Sequence, residues 1–385
     1  MTRRPLATVL ALAVPAALRA QPAPPAAARA PGDTAPQVRF GAFVDGYYAY
    51  DAGRPPTRDR SFAGGALFGT QPARHNEFNV NLAYAEATLT APRYRGRLAL
   101  QVGTSVQANY LGEPRQGQVS GPDVQQYVQE ATAGYRVADR LWVDGGIFFS
   151  NAGMESWVSR DNPTYTRSLV ADYSPYYSSG VKLTYAASPR LTARLDLVNG
   201  WQTISESNSG KGAGVRLDYA VTPSATASYY NLISEEAGTR LRTFQGVGVK
   251  VTGGALTLLG EADVGTQRRP AGRAGASTWY GLLLAARARV SARVALAGRV
   301  ERYDDSDQVI LATGTPGPGG PPNPAFRGNG ASIGVDVEPV AGSARVLWRT
   351  EVRGFRTREP LFPDGADGSP RRGGGFGVTS LALSF

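Results

Sequence analysis

Residues 95–110 read RGRLALQVGTSVQANY. Leu98, Leu100, Val102, Val106, Ala108 and Tyr110 share one parity, and Arg97, Gln101, Gly103, Ser105, Gln107 and Asn109 share the other. Alternation with period two is the mark of a strand with one apolar face. Strands of globular domains usually run about 5 to 6 residues, whereas a tilted strand needs about 9 to 11 to cross a bilayer. The window therefore predicts a single strand long enough to span a membrane.

The same alternation returns near residues 39–50, 77–90, 124–136, 140–150, 177–186, 190–201, 211–219, 224–234, 241–252, 255–266, 277–289, 292–304, 328–338, 343–355 and 374–385. Together with the opening window this makes about sixteen strands. In the second, Phe78, Val80, Leu82 and Tyr84 alternate before Ala85, Ala87 and Leu89 take over the apolar parity, which predicts a bulge. Connections after even-numbered strands are short: APRYR, VAD, AASP, AVTP, GG, VS and PVAG. Those after odd-numbered strands are longer, as at 51–76, 111–123, 151–175, 305–327 and 356–373. Strict alternation of turns and loops is the plan of an all-β, transmembrane, up-and-down antiparallel barrel with periplasmic turns and external loops. Tyr135, Tyr185, Tyr219 and Phe385 end even-numbered strands, and Tyr48, Tyr50, Phe78, Tyr110 and Trp201 fall at the opposite ends. Two aromatic belts at the membrane interfaces are expected.

Composition agrees. Gly 47, Pro 27 and Tyr 18 suit strands joined by turns. With Cys 0 there are neither disulfides nor cysteine metal sites. The single histidine, His75, sits in the loop sequence QPARHNEF. A nucleophile–base pair has little material, so an enzyme is not expected, nor any metal or cofactor. The glycine-rich GKGAGV at Gly210 precedes a strand with no helix after it, which rules out a phosphate loop. Basic residues are spread at alternate strand positions without a concentrated patch, so nucleic-acid binding is not expected either.

The N-terminus has two arginines, an apolar run from Leu6 to Leu18 and small residues around Ala20. Residues 1–20 are read as a signal peptide, 21–36 as a disordered Ala/Pro-rich leader, and 37–385 as one barrel. Export with a terminal aromatic, Phe385, resembles outer-membrane barrels, whose C-terminal signature is read by the barrel-insertion machinery. Outer-membrane lipid, that machinery and small hydrophilic solutes are the expected partners, in the bacterial outer membrane. A homo-oligomer stays open.

The stretch LWVDGGIFFSNAGMESWVSRDNPTYTRSLVADYSPYYSSGVKLTY, residues 141–185, adds to pattern. With HNEFNVNLAY from His75 and LVNGWQTISESN from Leu197, it resembles the OmpL-like family of β-barrel porins. The resemblance covers roughly residues 40–235 and implies an outer-membrane pore without naming a solute.

If the apolar parity faces lipid, the other parity lines the channel. It carries Arg97, Glu130, Lys182, Arg216, Lys250, Arg287, Arg299, Glu301, Arg345, Arg349 and Arg353. Charge on the lipid face costs about 2 to 4 kcal/mol at mid-membrane, and a barrel of about sixteen strands leaves an aqueous interior. The wall charges are nearly balanced, so the formal net charge of +10 overstates any anion preference. Arg345, Arg349 and Arg353 form a basic ladder expected to favour anions, against the alternative of an unselective wall. The loop 151–175, with Glu155, Arg160, Asp161, Arg167 and Asp172, is expected to fold inward as a constriction, the alternative being an external loop. The functional expectation is a passive water-filled channel for small hydrophilic solutes; the other reading is a plugged structural or adhesion barrel. Deleting Phe385 should lower the yield of membrane-inserted barrel, and an unchanged yield in outer-membrane fractions would count against the insertion role.

Overall fold

The computed structural model describes residues 35–236, 238, 240–270, 274–314, 323–339, 345–365 and 369–385. The expected signal peptide, and the leader as far as residue 34, lie outside the described residues. Fifteen strands lead along the chain: β1 (Gln37–Asp51), β2 (Phe78–Thr90), β3 (Tyr94–Val102), β4 (Val128–Ala138), β5 (Leu141–Phe149), β6 (Tyr177–Ala186), β7 (Leu191–Val198), β8 (Gly212–Thr222), β9 (Ala225–Glu236), β10 (Arg240–Gly253), β11 (Leu256–Arg268), β12 (Ala276–Arg289), β13 (Val294–Asp305), β14 (Phe326–Val337) and β15 (Arg345–Thr357). A two-stranded ribbon, β16 (Phe362–Pro363) with β17 (Pro370–Arg371), decorates the last loop before β18 (Gly373–Ser384). All but β16 and β17 form one closed antiparallel barrel of sixteen strands, each paired with its neighbour in sequence and sealed where β1 meets β18.

The seal runs from Phe43 opposite Ser384 to Asp51 opposite Phe376. Phe385 extends it, exchanging backbone hydrogen bonds with Ala42. In hydrocarbon an unpaired backbone group costs several kcal/mol, and closure removes both sheet edges at once.

Side-chain parity follows the alternation read in the sequence. On β12, Leu282 and Leu284 are exposed outward at 48% and 64%, whereas Trp279 and Leu283 between and before them are at 1%. Thr379, Leu381, Leu383 and Phe385 look out from the closing wall, and Val378, Ser380, Ala382 and Ser384 look in. The bulge in β2 is present, but it lies where the register shifts opposite Asp45 and Gly46, earlier than the sequence places it. Leu82 and Tyr84 consequently point inward and are buried.

The opening window departs from expectation at its second half. Leu98, Leu100 and Val102 face out and Gln101 faces in, as read, but the strand stops at Val102. Gly103 adopts φ 138°, where a Cβ would collide with the Asn81 carbonyl. Residues Thr104–Tyr110 then form helix α1, with Val106 and Tyr110 each 1% exposed. A spacing of four satisfies both periods: two strand repeats, or one helical turn. That coincidence made Val106 and Tyr110 look like a continued strand face. Residues 124–125, read as strand, belong to helix α2 (Pro122–Gln125).

Tyr135, Tyr185 and Tyr219 are about half exposed, and Phe385 is the most open of the turn-side ring set. Tyr50 and Phe78 are exposed at the loop side. Tyr110 and Trp201 leave the expected belt and pack inside: Tyr110 stacks on Tyr177 at 4.3 Å, and Trp201 meets Phe244 edge-on at 5.2 Å. Leu284→Arg should destabilise the barrel by about 2 to 4 kcal/mol relative to Leu284→Ala, since the charge enters hydrocarbon. Denaturant unfolding of both variants in lipid vesicles measures the difference.

Candidate functional site

The interior is divided by the long segment between β5 and β6, which folds into the lumen. A 3-10 turn, Ser159–Asp161, and a short helix, α3 (Leu169–Asp172), shape it. Ser168 caps α3, its hydroxyl accepting from the Ala171 N–H. Trp157, Val158, Tyr165, Leu169 and Val170 of this loop are buried.

One wall grips the loop through arginines. Arg349 donates through Nε to Asp336 at 2.8 Å, and its Nη atoms donate to the carbonyls of Ser159, Asn162 and Pro163. Arg299 donates to the Thr166 carbonyl at 2.6 Å, to the hydroxyls of Thr164 and Thr166, and to Glu351 at 3.1 Å. Arg353 pairs with Glu301 at 2.7 Å and donates to the Arg167 carbonyl at 2.8 Å. The carboxylates complete the lattice: Glu351 accepts the Thr166 N–H and hydroxyl, and Glu301 accepts the Leu169 N–H at 2.6 Å. Irregular backbone at membrane depth needs such partners, because no lipid can supply them. Each buried charge is in turn neutralised by an opposite one and hydrogen-bonded, the condition under which burial is tolerated.

The opposite wall, β3 to β8, is more open. Arg97 pairs with Glu86 and Glu130, Arg95 with Asp144, Arg194 with Asp196 at 2.6 Å, and Arg216 with Asp218 at 2.9 Å. Lys182 makes no ion pair among the described residues, and its Nζ lies 4.7 Å from the Phe148 ring. Three voids follow one another along this side. At the loop end, Leu67, Asn109, Tyr173, Ser174 and Gln202 border a cavity of about 440 Å³. Ser174 also borders a middle cavity of about 280 Å³, flanked by Arg167, Arg194 and Arg216. Arg194 borders in turn a cavity of about 570 Å³ at the turn end, with Arg95, Arg97 and Lys182.

A family model described as "Putative beta-barrel porin-2, OmpL-like" matches residues 37–385. The chain belongs to this porin family. Membership implies the bacterial outer membrane and a porin role for the barrel. Among solved structures, an anion-selective porin from Comamonas acidovorans is similar over 91% of this chain and 100% of its own, at 12% identity and a TM-score of 0.58. OmpT of Vibrio cholerae is similar over 91% and 98%, at 11% identity and a TM-score of 0.54, and its trimer form gives 0.52 at 10% identity. A search of curated proteins gave no match.

Within this porin the residues read from sequence separate into groups. Arg299, Glu301, Arg349 and Arg353 meet in the loop-gripping network, joined by Arg287, which pairs with Asp336 at 2.6 Å. Arg349 and Arg353 are only 2% and 3% exposed, so two rungs of the expected ladder are occupied by loop backbone rather than open to solute. Arg345 sits at the rim, bound to Glu338. Arg97, Glu130, Lys182 and Arg216 line the opposite side, and half-buried Lys250 stands apart on β10, in register with Thr226 and Leu259. Of the loop residues, Glu155, Arg167 and Asp172 are buried together, whereas Arg160 and Asp161 pair beside Tyr84 of β2.

Sequence reading missed Arg95, although it shares the parity of Arg97 two residues on. It also missed the loop groups that meet the arginines, Thr164 and Thr166 among them, for which no periodic signal exists. His75 is structural: its Nδ1 accepts the Asp51 N–H at 2.8 Å, and burial holds its pKa below the usual histidine value. Arg349→Met removes three carbonyl contacts and leaves Asp336 with less compensation, so the loop should loosen and stability fall by about 3 to 5 kcal/mol. Faster amide exchange across residues 159–166, with barrel strands still protected, is the expected result.

Proposed function

We propose that this barrel is a passive channel for small hydrophilic solutes, with a preference for anions set by the β3–β8 wall. The observation that carries the reading is the succession of three cavities linked through Ser174 and Arg194 from the loop end to the turn end. The inward loop, braced against the arginines of β13 and β15, acts as the constriction and pushes the path off-centre. Anion preference follows from what is left accessible. The turn-end cavity is bordered by Arg95, Arg97, Lys182 and Arg194 against Glu130 and Asp144. The arginines are matched by Asp144, Glu86, Glu130 and Asp196, so Lys182, which makes no ion pair among the described residues, is the cation that draws the opposite ion in this narrow, low-dielectric passage.

The pore reading assigns no catalysis. Export by the N-terminal signal, insertion by the barrel-insertion machinery and assembly into a homo-oligomer belong to the same proposal, the last supported by likeness of fold to a barrel solved in a trimer form. A specific observation favours the plugged alternative: Phe62, Phe68, Phe326, Phe355, Phe362 and Phe376 fill one side of the loop-end mouth. Conductance separates the two. Stable single-channel steps from refolded protein in a planar bilayer support the pore, and an inserted but silent barrel supports the plug. Lys182→Glu should roughly halve the anion-to-cation permeability ratio, read as a shift of reversal potential in a salt gradient. An unmoved potential would remove Lys182 from the selectivity determinants.

A further inference from the structure

We propose that the inward loop encloses a binding site for a small oxyanion, a carboxylate or a phosphate, seated against Arg167 beside the packed rings of Trp157 and Tyr176. The inference deepens the anion-conducting reading and rests on it for the use to which the site is put.

The site is built around a guanidinium whose donors the loop does not fill. Arg167 is 2% exposed and borders the middle cavity of about 280 Å³. Its Nη2 donates to the Ala171 carbonyl. Nε and Nη1 have no hydrogen-bond partner among the described residues, Nε lying 3.9 Å from Asp172. The guanidinium carbon is 5.6 Å from the Trp157 ring and 4.8 Å from that of Tyr176. Both rings present polar atoms that are likewise buried and unpartnered, the Trp157 Nε1–H and the Tyr176 hydroxyl. Guanidinium and indole N–H groups can only donate, so the ligand they call for is an acceptor, and a charged acceptor binds them most strongly.

Nearby charges leave these donors unmet: Asp172 lies within ion-pair distance of Nε but accepts no hydrogen bond from it, its Oδ1 taking the Thr70 hydroxyl instead. Glu155 borders the cavity, but one of its oxygens accepts the Ser168 N–H and the other lies 4.0 Å from Arg299. Across the void Arg194 and Arg216 are paired with Asp196 and Asp218. Water can occupy the cavity and accept from the free donors, but it is a weaker acceptor for a guanidinium than a charged oxygen. An oxyanion is the stronger acceptor, and buried donors left unmet are destabilising. The position also matters: the site lies between the loop-end and turn-end cavities, so an anion crossing the barrel along them passes it.

The test is isothermal titration of refolded full-length protein with inorganic phosphate and, separately, with acetate, at constant ionic strength in chloride. Saturable binding of either supports the site, and which of the two saturates tells phosphate from carboxylate chemistry. Arg167→Gln should weaken that binding by about tenfold or more, about 1.4 kcal/mol per decade, with Arg167→Lys intermediate. Should Arg167→Gln not refold, the double variant Trp157→Phe with Tyr176→Phe keeps the rings and removes the donors, and a several-fold weakening is expected. No saturable binding of either anion overturns the proposal, as does wild-type affinity in Arg167→Gln or in the double variant. Conductance of the unmodified barrel in potassium chloride judges the pore separately: a conducting barrel without the site fails this inference alone, and a silent barrel that binds phosphate fails the pore reading alone.

Discussion

Backbone hydrogen bonding without water is the constraint from which the structure follows. A chain in hydrocarbon must pair every N–H and C=O within itself, and a sheet can do so only by meeting its own edge. The pairing of β1 with β18 is therefore the step that makes the other strand pairings sufficient. Closure with sixteen strands also fixes a diameter too wide for wall side chains to fill. The barrel thus acquires an interior, and the interior must be furnished with something other than strand.

The furnishing obeys the same accounting. A loop drawn into the lumen carries irregular backbone away from bulk water, and its carbonyls need donors. Arg299, Arg349 and Arg353 supply them, held in turn by Glu351, Asp336 and Glu301. Arginine suits this task because its planar fork can serve several acceptors at once while staying charged. Cations on one wall are thereby spent on architecture. The arginines on the other wall keep carboxylate partners on the wall itself but still border open space, so the two sides of one ring of charges differ in access. Arg167 belongs to neither set, since it comes from the loop itself and hydrogen-bonds only one carbonyl, with Asp172 farther off at 3.9 Å.

The lumen is further divided by chemistry. Phe62 and Phe68 from the first loop join Phe326, Phe355 and Phe376 of the barrel wall, so the mouth is aromatic on that side. The polar cavities lie beside the aromatic mass rather than through it. A wide barrel can therefore hold a narrow route, and its course is set by which loops fold in, not by the circumference.

Strand number, the alternation of short turns with long loops, and the lipid-facing parity at positions such as Leu100, Leu284 and Leu381 were legible from residues alone. Each rests on a local rule: period two along the chain, and apolar side chains where hydrocarbon is the solvent. The inward placement of Arg299, Arg349 and Arg353 was legible for the same reason. Their partners were not, because Ser159, Thr164 and Thr166 are brought to them by a loop with no period, from more than a hundred residues away in sequence. The helix Thr104–Tyr110 escaped because its buried pair is four residues apart, a distance that strand and helix share. Sequence by itself determined the barrel, since its solvent reads one residue at a time; only the tertiary structure decided which charges face open space, since that depends on which groups meet across the lumen.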